Sequence, residues 1–233
     1  PLNSILSLTG VLKQQTVDKI SDEESKYLEV VERNGKQLLE LINDILDLSK
    51  IESGQMELTP STVSISGIVT DLVDSIQPIA KGKGIDLVLD ADGNIPKVTS
   101  DEFLVYRIIQ NLLSNAVKFT EQGEVVVKVQ SQNGSISVAV KDTGIGIPAQ
   151  SLALIFEEFR QVDGTTSRKF EGTGLGLAIA KRSSLLLGGD IQVESIENEG
   201  STFTLVLPLE APETLNTGNV ISQIQSGKME TSR

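Results

Sequence analysis

At 233 residues, 39% of them hydrophobic, the chain is long enough for one full core and a smaller second element. It has no cysteine, which removes disulfides and thiolate metal sites, and no histidine, which removes the commonest general base and metal ligand, so zinc sites and Ser-His-Asp chemistry are argued against. A formal charge of −12, without any Lys/Arg cluster interleaved with aromatics, argues against nucleic acid as a partner.

No apolar run approaches the roughly 18 to 20 residues of a membrane span, and Pro1-Leu2-Asn3-Ser4 lacks the layout of a signal peptide. The chain is therefore expected to be cytoplasmic and to make no membrane contact, although a start without methionine suggests a longer parent that is itself membrane-anchored or not.

Ile5, Leu8 and Leu12 give a first helical stripe, and the polar Val17 to Asp22 reads as a turn. From Glu24 to about Ile51, Leu28, Val31, Leu38, Ile42 and Ile45 recur three and four apart, which predicts a second, longer helix and an antiparallel hairpin over 1–54. Such a hairpin buries one face per helix and needs a partner, either a second hairpin or the neighbouring domain of its own chain, with a four-helix dimer the preferred outcome. After Ser53-Gly54, Met56-Glu57-Leu58 reads as a short strand, followed beyond Pro60 by a helix carrying Ile68, Val69, Leu72, Val73 and Ile76. Ile85, Leu87 and Leu89 alternate as a strand, and Ser100 is placed as the cap of a long helix reaching Lys118. Glu124–Gln130 and Ile136–Val140 form strands joined by an Asn133-Gly134 turn. A helix over Gly174–Leu187 precedes strands at Ile191–Glu194 and Thr202–Leu207. The second domain, 55–209, is expected to be an α+β sandwich with helices on one face of a sheet. Residues 210–233 lose periodicity and read as a disordered tail or linker.

Arg107, Asn111, Asn115 and Lys118 stand four, four and three apart, one polar stripe on an otherwise apolar helix. Two glycine loops follow, Asp142-Thr143-Gly144-Ile145-Gly146-Ile147-Pro148 and Gly172-Thr173-Gly174-Leu175-Gly176-Leu177. An ionised Asp142 at a strand end accepts hydrogen bonds only, which suits an exocyclic amine such as adenine N6. Gly174 and Gly176 open a helix at Leu177, and a helix N-terminus seats phosphates. Either loop alone is a weak signal.

The order of four motifs sharpens this: Asn111-Leu112-Leu113-Ser114-Asn115-Ala116-Val117-Lys118-Phe119-Thr120, the first glycine loop, Phe156-Glu157-Glu158-Phe159, and the second glycine loop. The series resembles the N, first glycine, phenylalanine and second glycine boxes of the sensor histidine kinases, two-component signalling proteins. The hairpin, with Pro1-Leu2-Asn3 at its start and Leu48-Ser49-Lys50-Ile51-Glu52-Ser53-Gly54 at its end, resembles that family's dimerisation and phosphotransfer hairpin. The resemblance implies a Bergerat-type (GHKL) ATP-binding fold for 55–209, with ATP and Mg²⁺ as cofactors. It implies that Asn115 ligates Mg²⁺ with Asn111 nearby, that Lys118 contacts phosphate and Asp142 adenine, and that Arg168 and Lys169 steady the γ-phosphate. Phe119, Gly144, Gly146, Ile147, Gly172, Thr173, Gly174, Leu175, Gly176, Leu177 and Thr202 complete the implied nucleotide set, while Phe156 and Phe159 pack.

In that family the acceptor histidine belongs to a motif like His-Glu-Leu-Arg-Thr-Pro, whose proline matches Pro1. The resemblance therefore implies a kinase core that donates to a histidine upstream of residue 1, dimerises through its hairpin and relays to a response-regulator receiver domain, without labelling itself. Two alternatives stand beside it. An ATP-driven clamp of the gyrase or chaperone type carries a Glu where this chain has Asn111, and a non-catalytic nucleotide-binding module would have kept the fold alone.

Overall fold

The computed structural model describes residues 1–16, 19–160 and 173–210. They divide into two units, Pro1–Ser49 and the chain from Lys50 onward.

The first unit holds α1 (Leu2–Gln15) and most of α2 (Asp22–Glu52). A capping box starts α2: Glu24 N–H donates to Ser21 Oγ at 3.3 Å, and Ser21 N–H donates to Glu24 Oε2 at 2.8 Å. Asp22, Glu23 and Glu24 set negative charge against the positive end of the helix dipole. The pair is antiparallel, because Gly35 brings α2 onto Leu6 and Leu2 while Lys13, further along α1, pairs back with Glu29 and Glu32 at 3.7 and 3.4 Å. A Cβ at Gly35 would stand 2.7 Å from Leu6 Cδ2, so that glycine sets the close approach. The turn expected at Val17 and Asp18 lies outside the described residues.

The second unit continues as β1 (Pro60–Val63), α3 (Ile65–Lys83), β2 (Ile85–Ala91), β3 (Val98–Asp101), α4 (Glu102–Phe119), β4 (Gly123–Gln132), β5 (Ser135–Asp142), α5 (Gly176–Leu186), β6 (Asp190–Ile196) and β7 (Gly200–Pro208). Five strands form one sheet in the order β2-β4-β5-β7-β6. The β2–β4 pair is parallel and the other three pairs are antiparallel. The period-two sets Val125/Val127/Val129, Ile136/Val138/Val140 and Phe203/Leu205/Leu207 are all buried. Against them pack α3, α4 and α5, with eight buried residues from α4, Leu104 to Val117. Hydrophobic transfer at about 1.5–3 kcal/mol per fully buried large side chain makes this layer the main source of stability. The expected α+β sandwich with helices on one face is the observed architecture.

Three expectations are corrected. Met56–Leu58 is not a strand. The strand is β1, four residues later, paired antiparallel with β3 in a separate two-stranded sheet. The cap of α4 is Asp101, whose Oδ1 accepts from Leu104 N–H at 3.0 Å and whose Oδ2 accepts from Thr59 N–H at 2.8 Å, while Ser100 pairs with Ser61 inside β3. Finally, α5 begins at Gly176, because Gly174 takes φ 72°, a left-handed conformation that no helix continues through. The Asn133-Gly134 turn is as expected, with both residues at positive φ (54° and 76°), the type I′ requirement. Residues 211–233 of the expected tail lie outside the described residues.

Candidate nucleotide-binding site

Helix α4 is the spine of the site and meets both glycine loops. At its C-terminal end the Phe119 carbonyl accepts from Ile145 N–H at 3.3 Å, and a Cβ at Gly144 would overlap that carbonyl. About two turns earlier, Asn111 packs its Nδ2 against Gly176, where again a Cβ would overlap it. The loops thus touch the helix about 12 Å apart along its axis.

The first loop is held by backbone on both sides. Gly146 (φ 63°) lies against the Ile196 carbonyl, Asn198 N–H donates to Ile145 O at 2.7 Å, and Gly200 lies against the Asp142 carbonyl. Ser195 Oγ accepts from Ile147 N–H at 2.8 Å and lies 2.9 Å from both the Gly200 carbonyl and Ser201 Oγ. These contacts fix where the Asp142 carboxyl sits. Asp142 is buried, and its Oδ1 accepts from Gly144 N–H at 2.8 Å. Burial pushes its pKa above the usual 3.8, partly offset by the Gly144 and Ser201 backbone N–H groups.

Register corrects one expectation. Asp142 stands opposite Ser201, and Thr202 stands opposite Lys141. Directly paired residues share a face of the sheet, so Ser201 faces Asp142 and Thr202 is on the other side. Thr202 of the implied set therefore stands on the face away from Asp142, and neither Ser201 nor Ser195 carried a sequence signal, since a lone serine in a strand belongs to no motif.

On α4, Asn115 Nδ2 donates to Asn111 Oδ1 at 3.1 Å. That bond uses one N–H of the Asn115 amide, whose oxygen is a neutral acceptor of the kind that hard cations take. Lys118 Nζ lies 4.8 Å from the centre of the Phe119 ring, and the Arg107 guanidinium lies 5.7 Å from that of Phe103. Among the described residues no group of three His, Cys, Asp or Glu gathers to hold a metal.

The second loop reaches α5 through Thr173, whose Oγ1 accepts from Leu175 N–H at 3.2 Å. The N-terminus of α5 has no side-chain cap. Leu175 is fully buried, and Ile147 and Leu177 pack on the core, so these three contribute backbone rather than side chain to the site. Phe156 packs on the core as expected, whereas Phe159 is 62% exposed. Gly172, Arg168 and Lys169 lie outside the described residues.

Residues 100–211 match the model of the histidine kinase-, DNA gyrase B- and HSP90-like ATPases, and residues 1–54 match that of the His Kinase A (phospho-acceptor) domain. The chain is 37% identical over 220 residues to hybrid signal transduction histidine kinase B of Dictyostelium discoideum, covering 92% of this chain and 11% of that protein. It is 39% identical over 211 residues to the circadian input-output histidine kinase CikA of Synechococcus elongatus, covering 89% and 28% respectively. The chain thus spans less than a third of either relative. Among solved structures, full-length ShkA in complex with AMPPNP superposes with a TM-score of 0.76 at 31% identity, over 92% of this chain and 44% of that one. The histidine kinase AdeS of Acinetobacter baumannii, at 20% identity and TM-score 0.64 over 89% of this chain and 95% of that one, shares the fold.

Proposed function

We propose, for a chain that belongs to the sensor histidine kinase family and carries its ATP-binding kinase core, that residues 55–209 bind Mg²⁺–ATP and present its γ-phosphoryl group to a histidine supplied from outside these 233 residues. The phosphoryl group then passes to a response-regulator aspartate. Residues 1–54 are the dimerisation and phosphotransfer hairpin, and the reaction takes place in the cytoplasm.

The observation that carries the reading is α4 touching both glycine loops, Phe119 at the first and Asn111 at the second. Asp142 accepts from the adenine amine, with Ser201 beside it in place of Thr202. Asn115 offers its amide oxygen to Mg²⁺, whose charge is balanced by the triphosphate. Lys118 and the N–H groups of Gly174 and Gly176 hold phosphate oxygens, the Leu175 N–H being bonded to Thr173 Oγ1, and Arg168 and Lys169 are proposed to assist at the γ-phosphate. Phosphoryl transfer is mainly positioning and charge neutralisation, so this donor half works without an acceptor in the same chain. The neutral amide of Asn111 cannot take a proton from water, which favours transfer to a protein side chain over hydrolysis.

Two measurements on one preparation test this. Titration calorimetry should detect Mg²⁺–ATP binding that Asn115→Ala weakens by about tenfold or more, the loss of one metal or hydrogen-bond contact. Incubation with γ-labelled ATP should leave the chain without acid-labile label, while a longer chain bearing the upstream histidine becomes labelled. Acid-labile label on the 233 residues alone, or steady hydrolysis of ATP by them, would overturn the assignment.

A further inference from the structure

Helix α5 carries two consecutive cations, Lys181 and Arg182, and both are turned onto one short stretch of chain, Phe156–Phe159. Lys181 is only 14% exposed at its side chain. Its ammonium donates to Asp190 Oδ1 at 2.5 Å and to the Ile191 carbonyl at 2.7 Å, and it stands 5.1 Å from the centre of the Phe156 ring. An ammonium so withdrawn from water is tolerated only where its donors are matched, and a carboxylate, a carbonyl and an aromatic face match all three. Arg182 is ion-paired with Glu158 through Nη2 and with Glu52 through Nη1, the latter at 2.7 Å.

The gripped stretch leads directly to the second glycine loop. Phe159, at φ 57°, donates its N–H to the Gly174 carbonyl at 3.1 Å. Gly174, at φ 72°, packs so closely that a Cβ would come within 3.2 Å of the Phe159 Cα and the Arg160 carbonyl. A non-glycine residue in the left-handed region is strained and persists where its surroundings hold it. The contacts close a circuit. They run from α5 through its cations to Phe156 and Glu158, on through Phe159 N–H to the Gly174 carbonyl, and back through the glycine loop to the start of α5.

We propose that Lys181 is a positioning residue for the nucleotide phosphates, holding through Phe156 the stretch whose Phe159 N–H orients the Gly174–Gly176 backbone, with Arg182 and Glu158 as its second hold. The proposal rests on reading that backbone as the phosphate seat. It separates the two ends of the ligand, because the adenine end is set at Asp142 on β5, by contacts that involve neither cation.

The test measures dissociation constants of the 233-residue chain for a non-hydrolysable ATP analogue with Mg²⁺ and for adenosine, with thermal melts alongside. Lys181→Met and Phe156→Leu should each weaken the triphosphate about tenfold while adenosine shifts less than about twofold, and the double variant should be no weaker than either single one, as for residues acting as a unit. Lys181→Arg, which keeps a cation for the ring and for Asp190, should recover most of the affinity. Glu158→Gln, at a part-exposed position, tests the second hold without altering Lys181 and should show the same preferential loss for the triphosphate. Equal losses for adenosine and triphosphate that follow the melting temperature would reduce the clamp to a stability element and overturn the proposal. Unchanged triphosphate affinity in the folded variants would also overturn it. A parent chain that binds adenosine as tightly as the triphosphate would overturn the phosphate seat itself.

Discussion

In the proposed function, Asp142 combines the charge that an adenine amine would require with a position that the fold resists charging. Because burial raises its folded pKa above the unfolded value of 3.8, the ionised group costs stability at neutral pH. That cost grows as pH rises from the ordinary carboxylate value through the folded pKa, and acidification relieves it. Nucleotide capture should run the other way, since an amine donor needs the ionised acceptor: affinity falls as pH drops through the raised pKa, earlier than for an exposed aspartate. Asp142→Asn separates the two effects. Its amide oxygen can still accept from Gly144 N–H, but its NH₂ then faces the adenine amine, donor to donor. The variant should melt at or above the parent temperature at pH 7, bind Mg²⁺–ATP about 10- to 100-fold more weakly, and lose the acid limb of the binding profile. Parent-like affinity would remove Asp142 from the site. Asp142 was legible in the sequence because its loop stands in order with three other motifs; the Asp-Thr-Gly-Ile-Gly loop alone is a weak signal. Ser201 was not, because its place opposite Asp142 comes from strand register, and a shift of one residue reverses the face.

The elements that read clearly from sequence were those with a sustained period, α2, α3, α4 and the alternating strands β4 and β5. The β1–β3 pair was illegible for the same reason. Its four-residue strands begin with Pro60 or carry mostly polar side chains, and pairing with a distant segment is what makes them strands at all. The contact between α4 and α5 was half legible. The polar stripe marked one face of α4, but nothing in sequence said that Asn111 would meet Gly176. That contact predicts unequal outcomes for two glycine-to-alanine changes. At Gly176 a methyl group overlaps the Asn111 amide, which cannot turn away without loosening its bond to Asn115. Gly176→Ala should therefore weaken Mg²⁺–ATP binding by about tenfold, the scale of one displaced polar contact. At Gly82, near the end of α3, an added Cβ meets open space and φ is not left-handed. Gly82→Ala should raise stability by about 0.5–1 kcal/mol with nucleotide affinity unchanged. Calorimetry and denaturant titration of the pair check both, and equal effects on binding would argue against the α4–α5 contact as part of the site.

At the scale of the whole molecule, the hairpin unit carries a stripe of exposed apolar side chains. Leu8 is 63% exposed, and Leu38, Ile42, Ile45 and Leu46 between 41% and 53%. On α2, Leu38, Ile42 and Ile45 recur four and three apart, the spacing of a coiled-coil seam. A net charge of −12 keeps copies of the chain apart, so association must be driven by this stripe rather than by general attraction. A second hairpin of the same sequence supplies the complementary stripe by two-fold symmetry, as an isologous four-helix bundle requires. The chain should accordingly run as a dimer in light scattering coupled to size exclusion. Leu38→Glu with Ile42→Glu should convert it to a monomer, because a buried like-charge pair at each position across the axis is strongly disfavoured. Its affinity for Mg²⁺–ATP should stay within about twofold of the parent, since the residues proposed to hold the nucleotide all belong to the second unit. Added salt separates this from a charge-driven association. Screening the mutual repulsion should tighten the parent dimer and leave the double variant monomeric. A parent chain that stays monomeric at high concentration and high salt would show that the stripe is covered by something other than its own copy.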